Sequence, residues 1–352
     1  MPEPFLHRRE FLRAGSLAGL AVLAACSKGS PRVSRTTSPT PGSSGSPSLF
    51  PRPSTRPFAW RRIGGAGPKA RSHHTLTANA DGSIVFLFGG RTKGKIYKDA
   101  WAFERSTRLW QPLPYGPQPR YGHSAAFAAG HLVIFGGQAG GGKVFNDAWA
   151  FDPVHGAWVQ LKSGAKHPAA RYGASGTTIG NALTISHGAG ASKSFDDTWA
   201  LSNSWANVTP KSGARPAARD QHRAVYLAGL TRMLLFGGRG THGLLGDTWL
   251  YDPTVLAWTK LAIPGPPARS LFAAGATKNN AYVFGGAGAR GPLKDLWSFD
   301  GRTWRTHRPS GTPPRARSGI EGAIVAGPSV LIFGGTDGAR EFDDFWELQV
   351  PA

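Results

Sequence analysis

Residues 68–113 read PKARSHHTLTANADGSIVFLFGGRTKGKIYKDAWAFERSTRLWQPL. Four landmarks stand here in order: Pro68-x-x-Arg71, an apolar run closing on Gly89-Gly90, Asp99-x-Trp101, and a second tryptophan, Trp110. Self-similarity at a period of tens of residues decides an architecture before any local reading does. The first landmark returns as Pro117/Arg120, Pro168/Arg171, Pro216/Arg219, Pro266/Arg269 and Pro314/Arg317. The double glycine returns as Gly136-Gly137, Gly237-Gly238, Gly285-Gly286 and Gly334-Gly335, with His187-Gly188 in the third unit. Asp-x-Trp returns at Asp147/Trp149, Asp197/Trp199, Asp247/Trp249, Asp295/Trp297 and Asp344/Trp346. The second tryptophan returns at Trp158, Trp205, Trp258 and Trp304, and the sixth unit stops before supplying one. Upstream of the first unit, Phe58-Ala59-Trp60-Arg61-Arg62-Ile63 has the look of Trp110-Gln111-Pro112-Leu113. With that segment completing the last unit, all 12 tryptophans are used, two per unit.

This pattern resembles the kelch family over residues 58–349. The resemblance implies four antiparallel strands per blade, with the double glycine ending the second, Asp-x-Trp in the third and the last Trp on the outer fourth. The expected fold is all-β: a single six-bladed β-propeller of kelch repeats, its ring closed by an N-terminal strand. Blade cores are expected at 68–113, 117–161, 168–208, 216–261, 266–306 and 314–349 plus 58–63, within a domain spanning 58–352. One blade alone buries too little apolar surface, whereas blades packed face to face bury a continuous core. Buried indoles fill the spaces between blades, each hiding about 150–250 Å². Sialidase Asp boxes and the Gly-His and Trp-Asp signature of WD40 repeats are absent from the sequence.

Outside the repeats the composition changes. Residues 27–57 are rich in Ser, Pro, Thr and Gly with almost nothing to bury, which reads, with Cys26, as a disordered tether over 26–57. Residues 1–25 read as a signal peptide: a basic start, then the small apolar run AGSLAGLAVLAA at 14–25, too short to span a bilayer. His7-Arg8-Arg9-Glu10-Phe11-Leu12-Arg13 resembles a twin-arginine export signal, and Leu23-Ala24-Ala25-Cys26 resembles the bacterial lipobox. The resemblance implies lipidation of Cys26, export, and anchoring to the membrane facing outside the cytoplasm. Cys26 is also the one cysteine of the chain, so intramolecular disulfides and thiolate metal clusters are excluded. Copper-radical oxidases built on kelch blades need a Cys cross-linked to a Tyr and are set aside with them.

The chain carries 41 Lys and Arg against 20 Asp and Glu, a formal charge of +21 that processing hardly alters. Acidic partners follow, and export favours an acidic cell-envelope polysaccharide or protein, or lipid head groups, over nucleic acid. A monomer is expected, and no cofactor or metal is assigned. In an up-and-down blade the loop before strand one and the loop between strands two and three share a face. The binding candidates on that rim are Arg91, Lys93, Arg239 and Arg290, with Arg71, Arg120, Arg171, Arg219, Arg269 and Arg317. For the last six a second reading is open and preferred: an ion pair with the repeated Asp, or a stack on Trp between adjacent blades.

Three residues after each such Arg stand His74, His123, Ala174, His222, Phe272 and Ile320. Three histidines near one axis could ligate a metal, but apolar residues share the slot, which favours packing. The next row, Thr75, Ser124, Ser175, Arg223, Ala273 and Glu321, is expected to face the central channel. Glu321 and Arg223 are the weak catalytic candidates, an acid or base beside a cation, with a plain channel ion pair preferred. A binding scaffold is therefore expected. The alternative is an envelope enzyme acting on small acidic sugars, which the six-bladed kelch sialic acid mutarotases suggest. The third unit departs from the pattern at Ser186 and His187, read either as drift or as a local site.

Overall fold

The structure, a computed structural model, describes residues 58–320, 322–325 and 329–351. The expected signal peptide, Cys26, the tether and Glu321 lie outside the described residues. The fold is the all-β six-bladed propeller, with no α-helix among the described residues. Blade 1 is Thr75–Ala78, Ile84–Phe88, Ala100–Glu104 and Leu109–Leu113, each strand antiparallel to the next. Blades 2 to 5 repeat this order, opening on Ser124–Ala128, Ser175–Ile179, Arg223–Leu227 and Ala273–Ala276. Blade 6 takes Gly322–Val325, Ser329–Phe333 and Phe345–Gln349 from the end of the chain and Ala59–Ile63 from its start. The six opening strands neighbour one another in cyclic order around the axis.

The closing strand runs antiparallel to Phe345–Gln349, with Trp60 opposite Leu348 and Arg62 opposite Trp346. Trp60 and Trp346 share one buried cluster with Phe284 of blade 5, and the Trp60 ring stands edge-on to Phe284 at 4.8 Å. Beside them the buried Glu347 accepts a hydrogen bond from Ser329 Oγ at 2.9 Å. Arg61 of the closing strand and Arg105 and Arg108 of blade 1 gather around the same carboxylate at 3.6–4.0 Å.

The other seams follow one rule. The outer-strand Trp of each blade packs on the aromatic residue before the double glycine of the preceding blade. Trp158 meets Phe88 at 5.1 Å, Trp205 meets Phe135 at 4.8 Å, Trp304 meets Phe236 at 5.1 Å and Trp110 meets Phe333 at 5.8 Å. In blade 3 that Phe is replaced by Ser186, and Trp258 instead meets His187 at 6.1 Å. The ring has moved along by one residue, so blade 3 compensates rather than merely drifting.

The double glycine has unequal members. At the second, a Cβ would come within 2.8 Å or less of the side chain three residues after the Arg, from His74 to Ile320, and its φ is 91–103°. Only glycine satisfies both conditions, which is why Gly188 persists where its neighbour changed. The first glycine sits at φ 60–67°, and His187 takes the same left-handed conformation at 57°.

Candidate functional site

Each repeated Arg is a clip. Arg71, Arg120, Arg171, Arg219, Arg269 and Arg317 are at most 1% exposed. In every blade Nη1 and Nη2 donate to the two oxygens of the blade's own Asp at 2.5–2.7 and 2.7–3.0 Å. Nη1 also donates to the carbonyl of the first glycine, or of His187 in blade 3. Nε donates to the carbonyl two residues back. Four of the five guanidinium donors are thereby engaged. The Asp Oδ2 also accepts the indole N–H of Asp-x-Trp at 2.7–2.8 Å.

Burial pushes each of these carboxyls up, but the Arg hydrogen bonds and charge outweigh it and hold them below the usual carboxylate range. Four of the arginines also lie over an aromatic ring two residues before the Asp, Tyr97, Phe145, Phe195 or Phe342, at 4.0–4.4 Å. The cation therefore stacks within its blade on that ring, and the Trp serves instead as a hydrogen-bond donor. The main chain of the Arg belongs to the neighbour: Arg120 N–H donates to Tyr97 O, and Gly90 N–H donates to Arg120 O, with the same pair at the other five seams. The six guanidinium groups that the sequence offers as binding candidates are thus internal to the frame and unavailable to a ligand.

Two residues further in, the frame closes on itself. His73 N–H donates to Gly319 O, Gly122 to His73, Gly173 to Gly122, Gln221 to Gly173, Leu271 to Gln221 and Gly319 to Leu271, at 2.7–3.0 Å. All six residues have φ of 56–65°. They form a cyclic neck of main-chain hydrogen bonds about the axis.

Between clip and neck lies one residue per blade whose main chain bonds to the residue after the double glycine. The bridges are Ser72 with Arg91, Tyr121 with Gln138, Tyr172 with Ala189, Asp220 with Arg239, Ser270 with Ala287 and Ser318 with Thr336. These twelve positions make a crown on the rim face, on a constant backbone with variable side chains. Arg91, half-buried, lies over the Tyr121 ring at 4.5 Å. Arg239 is exposed within the crown, and Lys93 and Arg290 are exposed beyond it, joined by Lys95, Lys143, Lys193, Lys294 and Arg340. Asp220 is partly buried with Oδ1 unbonded, and burial raises it to about 6 against the opposing pull of Arg239. A cavity of about 130 Å³ opens in the crown among Arg91, Tyr121, Gln138, Tyr172, Gln221 and Leu271. Tyr121, Tyr172, Gln138 and Asp220 escaped a sequence search directed at cations and histidines.

Below the neck a channel cavity of about 300 Å³ is bordered by Thr75, Ser124, Ser175 and Arg223. These side chains also stitch blades together. Thr75 Oγ1 bonds His123 Nε2 at 2.8 Å, Ser124 Oγ donates to Ala174 O at 3.0 Å, and Arg223 Nε donates to Phe272 O at 3.0 Å. Arg223 also donates to His222 O and Ile320 O, both at 3.2 Å. Its expected partner Glu321 lies outside the described residues.

The histidine row is packing. His74 stands edge-on to Phe333 at 5.5 Å, His123 to Phe88 at 5.1 Å and His222 to His187 at 5.2 Å, as Phe272 does to Phe236. Burial above all, with nearby cations, keeps all four imidazoles neutral, His123 and His187 down to about 3 and His74 and His222 well below the usual value. Among the described residues no three His, Cys, Asp or Glu are grouped to hold a metal ion.

Comparison with known proteins agrees with this geometry. The KLHDC2/KLHL20/DRC7 Kelch-repeats domain matches residues 54–210 and 201–351. Relatives include Kelch domain-containing protein 1 of Mus musculus, 41% identical over 66 residues, 18% of this chain and 16% of that protein. F-box/kelch-repeat protein At1g51550 of Arabidopsis thaliana is 33% identical over 221 residues, 55% and 46% of the two chains. Adagio-like protein 3 of Oryza sativa subsp. japonica is 31% identical over 122 residues, 32% and 18%. The chain spans less than half the length of each of these relatives. With the family matched from the closing strand to the last blade, this chain belongs to the KLHDC2/KLHL20/DRC7 Kelch-repeats domain family.

Proposed function

We propose that the protein is a binding scaffold, exported and held to the membrane through lipid on Cys26, whose basic rim engages an acidic envelope glycan or protein. The observation that carries this reading is the division of its cations. Six are sealed inside the frame, while Lys93, Lys95, Lys143, Lys193, Arg239, Arg290, Lys294 and Arg340 stand exposed in the loops around one face. Cations outnumber the carboxylates Asp220, Asp337 and Glu341 on this rim, and such an excess raises the local concentration of polyanions and speeds their capture. Arg223 supports a scaffold over an enzyme of acidic sugars, because its guanidinium is engaged by three main-chain carbonyls.

Polygalacturonate and polyglutamate serve as probes. Binding of at least one should weaken as salt rises from about 0.05 to 0.5 M, since surface charge is screened over that range. Joint replacement of Lys93, Arg239 and Arg290 by alanine should flatten the salt slope. Binding that ignores ionic strength defeats the electrostatic reading. Acceleration of sugar-anomer exchange by the protein in NMR would instead favour the enzyme.

A further inference from the structure

The crown is lopsided. Blades 5 and 6 place only Ser270 with Ala287 and Ser318 with Thr336 there and blade 4 the pair Asp220 and Arg239, whereas blades 1 and 2 and the start of blade 3 place Arg91, Tyr121, Gln138 and Tyr172 around a cavity that Gln221 and Leu271 close. The backbone frame is the same in all six blades, so the difference lies in what the side chains can hold.

We propose that this notch is the subsite for one carboxylated sugar residue of an acidic glycan, a uronic acid unit. The proposal rests on the acidic-partner reading above and narrows it. At about 130 Å³ the cavity is well below the several hundred Å³ of a drug-sized site and has room for one small ring. The Tyr172 ring, with the face of Tyr121 that Arg91 leaves open, offers apolar surface to the C–H side of a pyranose. Tyr121 Oη donates to Gln138 Oε1 at 2.7 Å, which fixes that amide and turns its N–H₂ into a donor for sugar hydroxyls. Arg91, held over Tyr121, supplies the planar fork that matches a carboxylate.

The main chain argues for a sugar over an extended peptide. Peptides that add to a protein surface lean on free backbone donors and acceptors. Here the crown residues bond across to the loop behind them, and the neck amides bond to one another. Recognition is left to side chains, and these suit a polyhydroxylated ring bearing one negative charge.

The test uses the full chain with tetragalacturonate, its methyl ester and tetraglutamate, measured by calorimetry. Tyr121→Ser and Tyr172→Ser are the variants, because blades 1, 5 and 6 carry serine at that place and the frame accommodates it. Tetragalacturonate should bind, the methyl ester and tetraglutamate at least about tenfold more weakly, and the double variant should lose about tenfold for tetragalacturonate. Circular dichroism and melting of the variants should match the parent. Equal binding of tetragalacturonate and tetraglutamate, or a double variant that binds tetragalacturonate as the parent does, overturns the subsite while leaving the acidic-partner reading intact. If neither polyanion binds at any ionic strength, both readings fall together.

Discussion

At the scale of single residues, blade 3 shows how the repeat tolerates error. Ser186 and His187 exchange an aromatic-glycine pair for a small-aromatic pair, and the indole of Trp258 still finds a ring. The two positions should therefore be strongly coupled. His187→Gly alone opens a cavity at the seam and should cost about 2–4 kcal/mol. Ser186→Phe alone crowds His187 and should cost about 1–3 kcal/mol. The double variant restores the arrangement of the other blades and should return to within about 1 kcal/mol of the parent by urea titration. Additive losses would show that the ring shift is accidental. The clip was half legible: an Arg and an Asp recurring once per unit announced a pair, but the partner ring was hidden because Tyr, Phe and Leu share its position. Tyr121, Tyr172 and Gln138 were overlooked for the opposite reason. A changing residue beside a constant Arg looks like noise until the backbone shows that such positions make up the crown.

Among elements, the strand Ala59–Ile63 joins the two ends of the described chain, and Trp60 occupies the place that Trp110 and Trp158 hold at their own seams. Trp60→Ala should destabilise the domain by about 3–5 kcal/mol, as much as Trp110→Ala should, and unfolding should stay a single transition. A loss under about 1 kcal/mol would make the strand an accessory rather than part of the core. The blade count and the closure were legible because tryptophans and glycines are rare enough to mark register. The neck was not, since His73, Gln221 and Leu271 give no hint in sequence of a left-handed backbone.

For the whole molecule, the consequence of burial is sensitivity to acid. His74, His123, His187 and His222 have folded pKa values below the ordinary 6.5. Between those values and 6.5 the unfolded chain takes up protons that the folded chain refuses, so stability is complete above about pH 6.5 and falls as pH drops. Each histidine removes about 1.4 kcal/mol per pH unit in that window. The six clipped Asp, also depressed when folded, add their loss only below about pH 4. His74→Phe tests this, because neither ring nitrogen of His74 has a partner and Phe272 already fills the same slot in blade 5. Relative to the parent, the variant should gain about 1.4 kcal/mol at pH 5.5 over its standing at pH 7.5. An unchanged difference between the two pH values would mean that His74 takes up its proton in the fold as readily as in the unfolded chain. The neck carries a last implication, for divergence rather than stability. With its six amides committed to one another, a visiting molecule meets no throat backbone it could persuade, and descendants of this propeller are free to trade one cargo for another by respelling a dozen side chains above a throat that never changes.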